Sequence, residues 1–167
     1  MSYRIRPARE TDIKALEALF ATAREFMART GNPLQWGSTH PPLSALEEDI
    51  ALARGYCVVD EGDTVLGYYA LVSHEKTYDV MVEGKWLDDG PYVCPHRVAT
   101  YSGQGVGRFL IGYLKEHYAS IRIDTMDVNI PMRSLLEKSG FVYTGVIELE
   151  DHRGLRVAYQ YLQKAGV

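Results

Sequence analysis

The chain has 167 residues, a net charge of −4, and 46% hydrophobic against 24% charged residues, which is the size and balance of a single soluble domain spanning residues 1–167. No basic run offers a nucleic-acid surface, and no apolar stretch nears the roughly 20 residues that cross a bilayer, so neither nucleic acid nor membrane is an expected partner. The start, MSYRIRPARETD, lacks the apolar segment of a secretory signal, and the two cysteines, Cys57 and Cys94, form no pairing motif; both point to the cytoplasm. The five histidines never recur at helical spacing, so no metal is expected.

Tyr3 to Arg6 alternates and Pro7 closes it, a first strand. Thr11 or Asp12 can cap the helix that follows, in which Ile13, Leu16, Phe20, Ala23 and Met27 recur at three- and four-residue steps up to Gly31-Asn32-Pro33. Ser44 to Glu47 reads as a capping box opening a second, shorter helix. Tyr56–Asp60 and Thr64–Val72 read as antiparallel strands around the turn Glu61-Gly62-Asp63. Residues 75–90 mix apolar Val80, Met81 and Trp86 with Gly84 and Asp88-Asp89-Gly90, which suits a loop with a helical turn. Tyr92 to Ala99 is strand again, followed by a glycine turn and a helix carrying Val106, Leu110, Tyr113, Leu114 and His117 on one side. Ser120–Asp124 is a short strand. Asn129 caps another helix with Pro131 in its first turn, Met132, Leu135 and Leu136 inward, and Gly140 at its end. Strands Phe141–Glu148 and Leu155–Leu162 are joined by a hairpin at Asp151–Gly154. The order β-α-α-β-β-β-α-β-α-β-β describes one α/β (α+β) domain around a mixed sheet.

The segment richest in chemistry is Ser102-Gly103-Gln104-Gly105-Val106-Gly107-Arg108, set between a strand and a helix. Glycines permit a tight turn that presents consecutive amides, and the helix behind adds the positive end of its dipole. Such a place binds phosphate or pyrophosphate, with Arg108 as a supplement; a merely tight turn would need only one or two of the three glycines. A dinucleotide fingerprint is the rival. Asp124 lies where its ribose-binding acid would be, but the spacing is G-x-G-x-G, and too little chain follows to complete a doubly wound sheet. A P-loop fails because no Lys-Ser or Lys-Thr pair follows the glycines.

This turn resembles the pyrophosphate motif of the GNAT acetyltransferases, Arg/Gln-x-x-Gly-x-Gly/Ala. Further matches are His96-Arg97-Val98-Ala99, Ile121–Thr125, Asn129, Met132, Leu135-Leu136, Gly140-Phe141 and Arg156–Tyr159, which look like one bacterial subgroup. The order of elements agrees from Tyr3 to Gln163. There are departures as well. Ser102 replaces the leading Arg or Gln, the loop after Ala99 is shorter than usual, and Leu136 stands where many members carry a tyrosine that protonates the departing thiolate.

The resemblance implies a mixed, mostly antiparallel central sheet flanked by about four helices, with acetyl-CoA as co-substrate and direct acetyl transfer to a primary amine of a small molecule or peptide. It implies that Val98, Ala99 and Thr100 present backbone groups to the pantetheine arm and acetyl carbonyl. Gly103, Gln104, Gly105, Val106, Gly107 and Arg108 would hold the pyrophosphate, and Asn129 would approach the pantetheine, unless it serves only as a cap. His96 is the candidate base, because imidazole titrates near neutrality; the alternative is a histidine hydrogen-bonded inside the sheet. Arg97 should face the other way as an ion-pair partner. Tyr143 is the candidate acid, with Tyr101 behind it, and packing in a core is the competing reading for both. Trp36 and Trp86 are candidate walls of an acceptor pocket, and Glu47, Glu48, Asp49, Asp88 and Asp89 a candidate acidic lining. Apolar groups on the last two strands offer a homodimer contact. The competing function is a non-catalytic acyl-CoA sensor or interaction module, to which Leu136 lends weight.

Overall fold

A computed structural model describes residues 2–150 and 154–164. The chain divides into two units, one running up to Leu71 together with Pro95–Leu110, the other taking Val72–Cys94 and the chain from Ile111 onward.

The first unit carries a four-stranded sheet in the order β1-β2-β3-β5, formed by β1 (Arg4–Pro7), β2 (Gly55–Val59), β3 (Val65–Val72) and β5 (Cys94–Thr100). The β2–β3 hairpin turns at Asp60, whose Oδ1 accepts from the amides of Gly62 and Thr64, both at 2.9 Å. Asp63 leaves that turn with φ 66° and accepts hydrogen bonds from Arg4 and Arg6 of β1, tying the hairpin to its neighbour strand. Helices α1 (Ile13–Arg29) and α2 (Leu43–Ala51) bury Leu16, Leu19, Phe20 and Leu46 in one cluster with Cys57, Val59, Tyr68 and Ala99.

Two expected caps do not form. Asp12 precedes α1 but makes no cap bond to it: its buried carboxylate accepts from Arg6 Nη1 and Nη2 at 2.8 and 2.9 Å and from the Arg9 amide at 2.8 Å. A bidentate ion pair outbids a single cap bond. Helix α2 starts at Leu43 with Pro42 at its cap position, so Ser44 lies inside the helix rather than opening a capping box.

The second unit carries a four-stranded antiparallel sheet, β4 (Glu83–Gly84), β7 (Val142–Glu148), β8 (Leu155–Leu162) and β6 (Ser120–Thr125), in that spatial order. The helical turn expected in residues 75–90 is the single 3-10 turn Lys76–Tyr78; the two-residue β4 had no signal of its own. Gly84 and Gly145 face each other where β4 meets β7, and a Cβ on either would fall 2.0 Å from a carbonyl oxygen of the other strand. Glycine is obligatory at both. The only parallel pairing described is the bridge Val93 to Ile121, so the strands form a mixed, mostly antiparallel set, distributed over two sheets. Helix α4 (Ile130–Lys138) is capped by Asn129, and Gly140 ends it with φ 85°. Helix α3 spans Val106–His117. The expected hairpin turn at Asp151–Gly154 includes Asp151, His152 and Arg153, which lie outside the described residues.

Hydrogen bonding to Arg6 holds the Asp12 carboxyl below the usual carboxylate range, against the opposing effect of burial. A depressed carboxyl contributes stability above its unfolded pKa and loses it as pH falls through the folded value. Urea unfolding should therefore show a stability that is flat near neutrality and declines below about pH 4. Asp12→Asn should cost about 2 kcal/mol at pH 7 and flatten that decline, because it removes the buried partner of Arg6 and leaves its guanidinium only the more exposed Asp63.

Candidate active site

Strand β5 carries an irregularity at the residue next to the candidate base. Arg97 has φ 52°, a left-handed backbone that side chains with a Cβ rarely adopt, and it breaks the two-residue alternation. His96, Arg97 and Val98 are in consequence all half-buried, while Ala99 is buried in the core cluster and Thr100 half-buried.

Arg97 is held by Asp49 of α2. Its Nε donates to Asp49 Oδ2 at 2.9 Å and its Nη2 to Oδ1, while Arg54 Nε donates to Oδ1 at 2.8 Å and the Tyr68 hydroxyl to Oδ2. The Asp49 side chain is 0% exposed. Burial pushes its carboxyl up, but bonds from Arg97, Tyr68 and Arg54 outweigh burial and hold it below the usual range. Burial, and then the bond to the Asp49 carboxylate, push the Tyr68 phenol up, against the opposing charge of Arg97. Arg97 is the ion-pair residue the sequence suggests. Asp49, by contrast, is no part of an exposed acidic lining: it sits inside, between solvent-facing Glu48 and the core. Its role had no sequence signal beyond an acid on the apolar side of a short helix.

The glycine turn lies directly after β5. Gly103 and Gly105 have φ 85° and 74°, and a Cβ on either would meet nothing within 4 Å. Backbone conformation, not crowding, therefore demands glycine there, and the space over the turn is open. The first helical bond of α3 runs from the Phe109 amide to the Gly105 carbonyl at 3.0 Å, and the Gln104 carbonyl accepts from the Tyr3 hydroxyl at 2.6 Å. Tyr3 also meets Phe109 edge-on at 5.6 Å. The amides of a helix's first turn have no intrahelical acceptor. Two carbonyls are thus occupied within the protein while donors at the start of α3 remain available to an anion. Arg108 is exposed in that first turn, and Val106 is buried. Beneath the turn, Gly67 of β3 lets Thr100 and Val106 approach: a Cβ there would lie 3.1 Å from Val106 and 3.2 Å from Thr100.

His96, Val98–Thr100 and Gly103–Arg108 belong to the first unit, Asn129 and Tyr143 to the second. The Asn129 side chain caps α4, accepting from the Met132 amide at 3.3 Å and donating to Thr125 Oγ1 at 3.0 Å. Tyr143 is exposed on β7, its ring edge-on to Tyr159 at 5.8 Å. Leu136 is fully buried. Tyr101 packs against the first unit's core, and Trp36 does the same beside Phe20. Trp86 donates to the Tyr78 carbonyl at 2.9 Å and stacks on Arg122. Among the described residues, no group of three or more His, Cys, Asp or Glu side chains is placed to hold a metal ion.

No family model matches the sequence, and no curated protein matches it either. Solved structures do. A GNAT-family acetyltransferase from Streptococcus agalactiae 2603 is 32% identical, with 97% of this chain and 96% of that one covered and a TM-score of 0.86. The fold is shared with a ribosomal-protein-alanine N-acetyltransferase from Brucella melitensis at 19% identity, 95% and 99% coverage and TM-score 0.65. It is shared also with a phosphinothricin acetyltransferase from Sinorhizobium meliloti, solved with acetyl-CoA, at 14% identity, 100% and 96% coverage and TM-score 0.64. The chain belongs to the GNAT family of acetyltransferases. Acyl transfer is accordingly the class of its chemistry.

The left-handed backbone at Arg97 and its ion pair separate in two variants. Arg97→Gly and Arg97→Ala both lose the pair with Asp49, but only Ala keeps a Cβ at φ 52°. Urea unfolding should find the Gly variant more stable than the Ala variant by about 1 kcal/mol, the reverse of the order in a regular strand.

Proposed function

We propose that the chain acts as a single acetyl-CoA-dependent N-acetyltransferase domain, passing the acetyl group directly to a primary amine of a small-molecule or peptide acceptor. The start of α3 carries the reading: left-handed Gly103 and Gly105 under open space, with the free amides of a helix behind them. These residues fit a pyrophosphate, which needs donors and room rather than a cavity.

The donor, when bound, supplies an activated acetyl thioester. The chain supplies the rest. Amides of Gly103, Gln104, Gly105, Val106 and Gly107 hold the pyrophosphate with the exposed guanidinium of Arg108. Backbone groups of Val98, Ala99 and Thr100 align the pantetheine and the acetyl carbonyl, and Asn129, besides capping α4, approaches the pantetheine. His96 takes the proton that an ammonium must lose before its nitrogen can attack. The Tyr143 hydroxyl, exposed on β7, gives a proton to the departing sulfur. A covalent relay through cysteine is disfavoured. Cys94 is fully buried and donates to the Tyr78 hydroxyl, and burial, then Asp12, pushes the Cys57 thiol up to about 12. Two buried free thiols suit a reducing cytoplasm, and exposed Val142 on β7 and Leu155 on β8 offer separate apolar contacts to a second copy of the chain. One observation favours an acyl-CoA sensor instead: Leu136 is sealed in the core at the position where many members carry a tyrosine.

Calorimetry should show acetyl-CoA binding and no NAD binding, and an amine library mixed with acetyl-CoA should release coenzyme A. Tight binding without release favours the sensor; NAD binding without coenzyme A binding overturns both readings. His96→Ala and Tyr143→Phe should each lower turnover about 100-fold with little change in acetyl-CoA affinity, and unchanged rates would clear the residue concerned.

A further inference from the structure

We infer that Tyr3 is a positioning residue for donor binding: its hydroxyl fixes the Gln104–Gly105 peptide so that the Gly105 amide faces the pyrophosphate. The inference rests on the assignment of the glycine turn to pyrophosphate.

The argument begins with the peptide plane. In a trans peptide the C=O and the N–H of the next residue point in opposite directions. The Gln104–Gly105 bond is trans, the one cis bond described being His40–Pro41. The Gln104 carbonyl points at Tyr3 Oη, 2.6 Å away, a short and well-formed O–H···O bond. The Gly105 N–H therefore points away from Tyr3, and a Cβ built at Gly105 would meet nothing within 4 Å.

A turn built on two left-handed glycines lacks the side-chain sterics that would otherwise select one conformation. Flipping the Gln104–Gly105 plane would exchange a donor for a carbonyl oxygen, turning an attractive group toward an anion into a repulsive one. The Tyr3 bond opposes that flip. The phenol is itself anchored, since its ring lies edge-on to Phe109 at 5.6 Å and its residue directly precedes β1. Phe109 in turn donates its amide to the Gly105 carbonyl at 3.0 Å, so the peptide planes on both sides of Gly105 are fixed from one aromatic pair. Tyr3 touches no reacting atom. It acts through the backbone of the turn.

Tyr3→Phe removes the hydroxyl and keeps the ring against Phe109. Affinities for acetyl-CoA and for acetyl-pantetheine, which lacks the pyrophosphate, are measured by calorimetry on both proteins. The wild type should prefer acetyl-CoA. The variant should bind acetyl-CoA about fivefold more weakly, the worth of one hydrogen bond, with acetyl-pantetheine affinity and turnover at saturating donor unchanged. In amide NMR spectra, the Gly105 resonance should shift on adding coenzyme A to the wild type and shift less in the variant. Equal binding of acetyl-CoA by variant and wild type overturns the role of Tyr3 and leaves the pyrophosphate assignment standing. An equal loss on both donors also overturns it, making Tyr3 a general structural residue. A wild type that binds both donors equally removes the pyrophosphate assignment, and the role of Tyr3 with it.

Discussion

A carboxylate shut away from water is costly unless donors converge on it, and Asp49 has three side chains that do. Those donors come from different places in the chain: Arg54 just after α2, Tyr68 on β3 and Arg97 on β5. One buried charge therefore ties the second helix to the middle and the edge of the first sheet. Its grip on Arg97 coincides with the left-handed backbone there, a conformation that costs energy and persists only where surroundings over-determine it. The exposure pattern of His96 and Val98 follows from that kink. The backbone beside the candidate base is thus tied, through the ion pair of Arg97, to an acid more than forty residues earlier in the chain.

The second requirement is met by backbone instead of charge. The chain carries a net −4, and its turn has serine where the family motif has Arg or Gln, so beyond Arg108 little positive side-chain charge is available to attract a polyanion. What remains is the direction of peptide dipoles, which demands that the carbonyls of the turn be occupied elsewhere. Tyr3 and the Phe109 amide do that for Gln104 and Gly105. Serine at position 102 is tolerable under the proposed reading, because backbone amides supply most of the donors and Arg108 is left as the one exposed cation of the turn.

Elements with a strong local period were legible in the sequence. The long first helix, the β2–β3 hairpin with its Gly62 turn, α3 after the glycines, and α4 with Asn129 and Pro131 at its start all lie close to the expected bounds. A cap pattern misleads where an acid has a better partner: Asp12 has the pattern of a cap, but the Arg6 guanidinium, six residues earlier, takes its carboxylate in a bidentate pair, a competition that residue type alone does not settle. The same limit hid Asp49, whose neighbours Glu47 and Glu48 make it look like one more solvated acid. Arg97 was legible as an ion-pair residue but not as a left-handed one, since arginine gives no hint of positive φ. Tyr3 read as the first residue of an alternating strand. Its hydroxyl is used by a loop about a hundred positions away, a relation that only folding creates.

The facing glycines of β4 and β7 have a consequence for alignment of the strands themselves. A two-residue strand offers few hydrogen bonds with which to choose its register, and a slip would ordinarily cost little. Here a slip of one residue would bring Glu83 or Lys85, each with a Cβ, onto the spot where Gly84 meets Gly145 with no room for one. Alternative pairings are excluded by steric overlap rather than outcompeted by better bonding. The shortest strand in the sheet is in that sense the one whose placement leaves least choice.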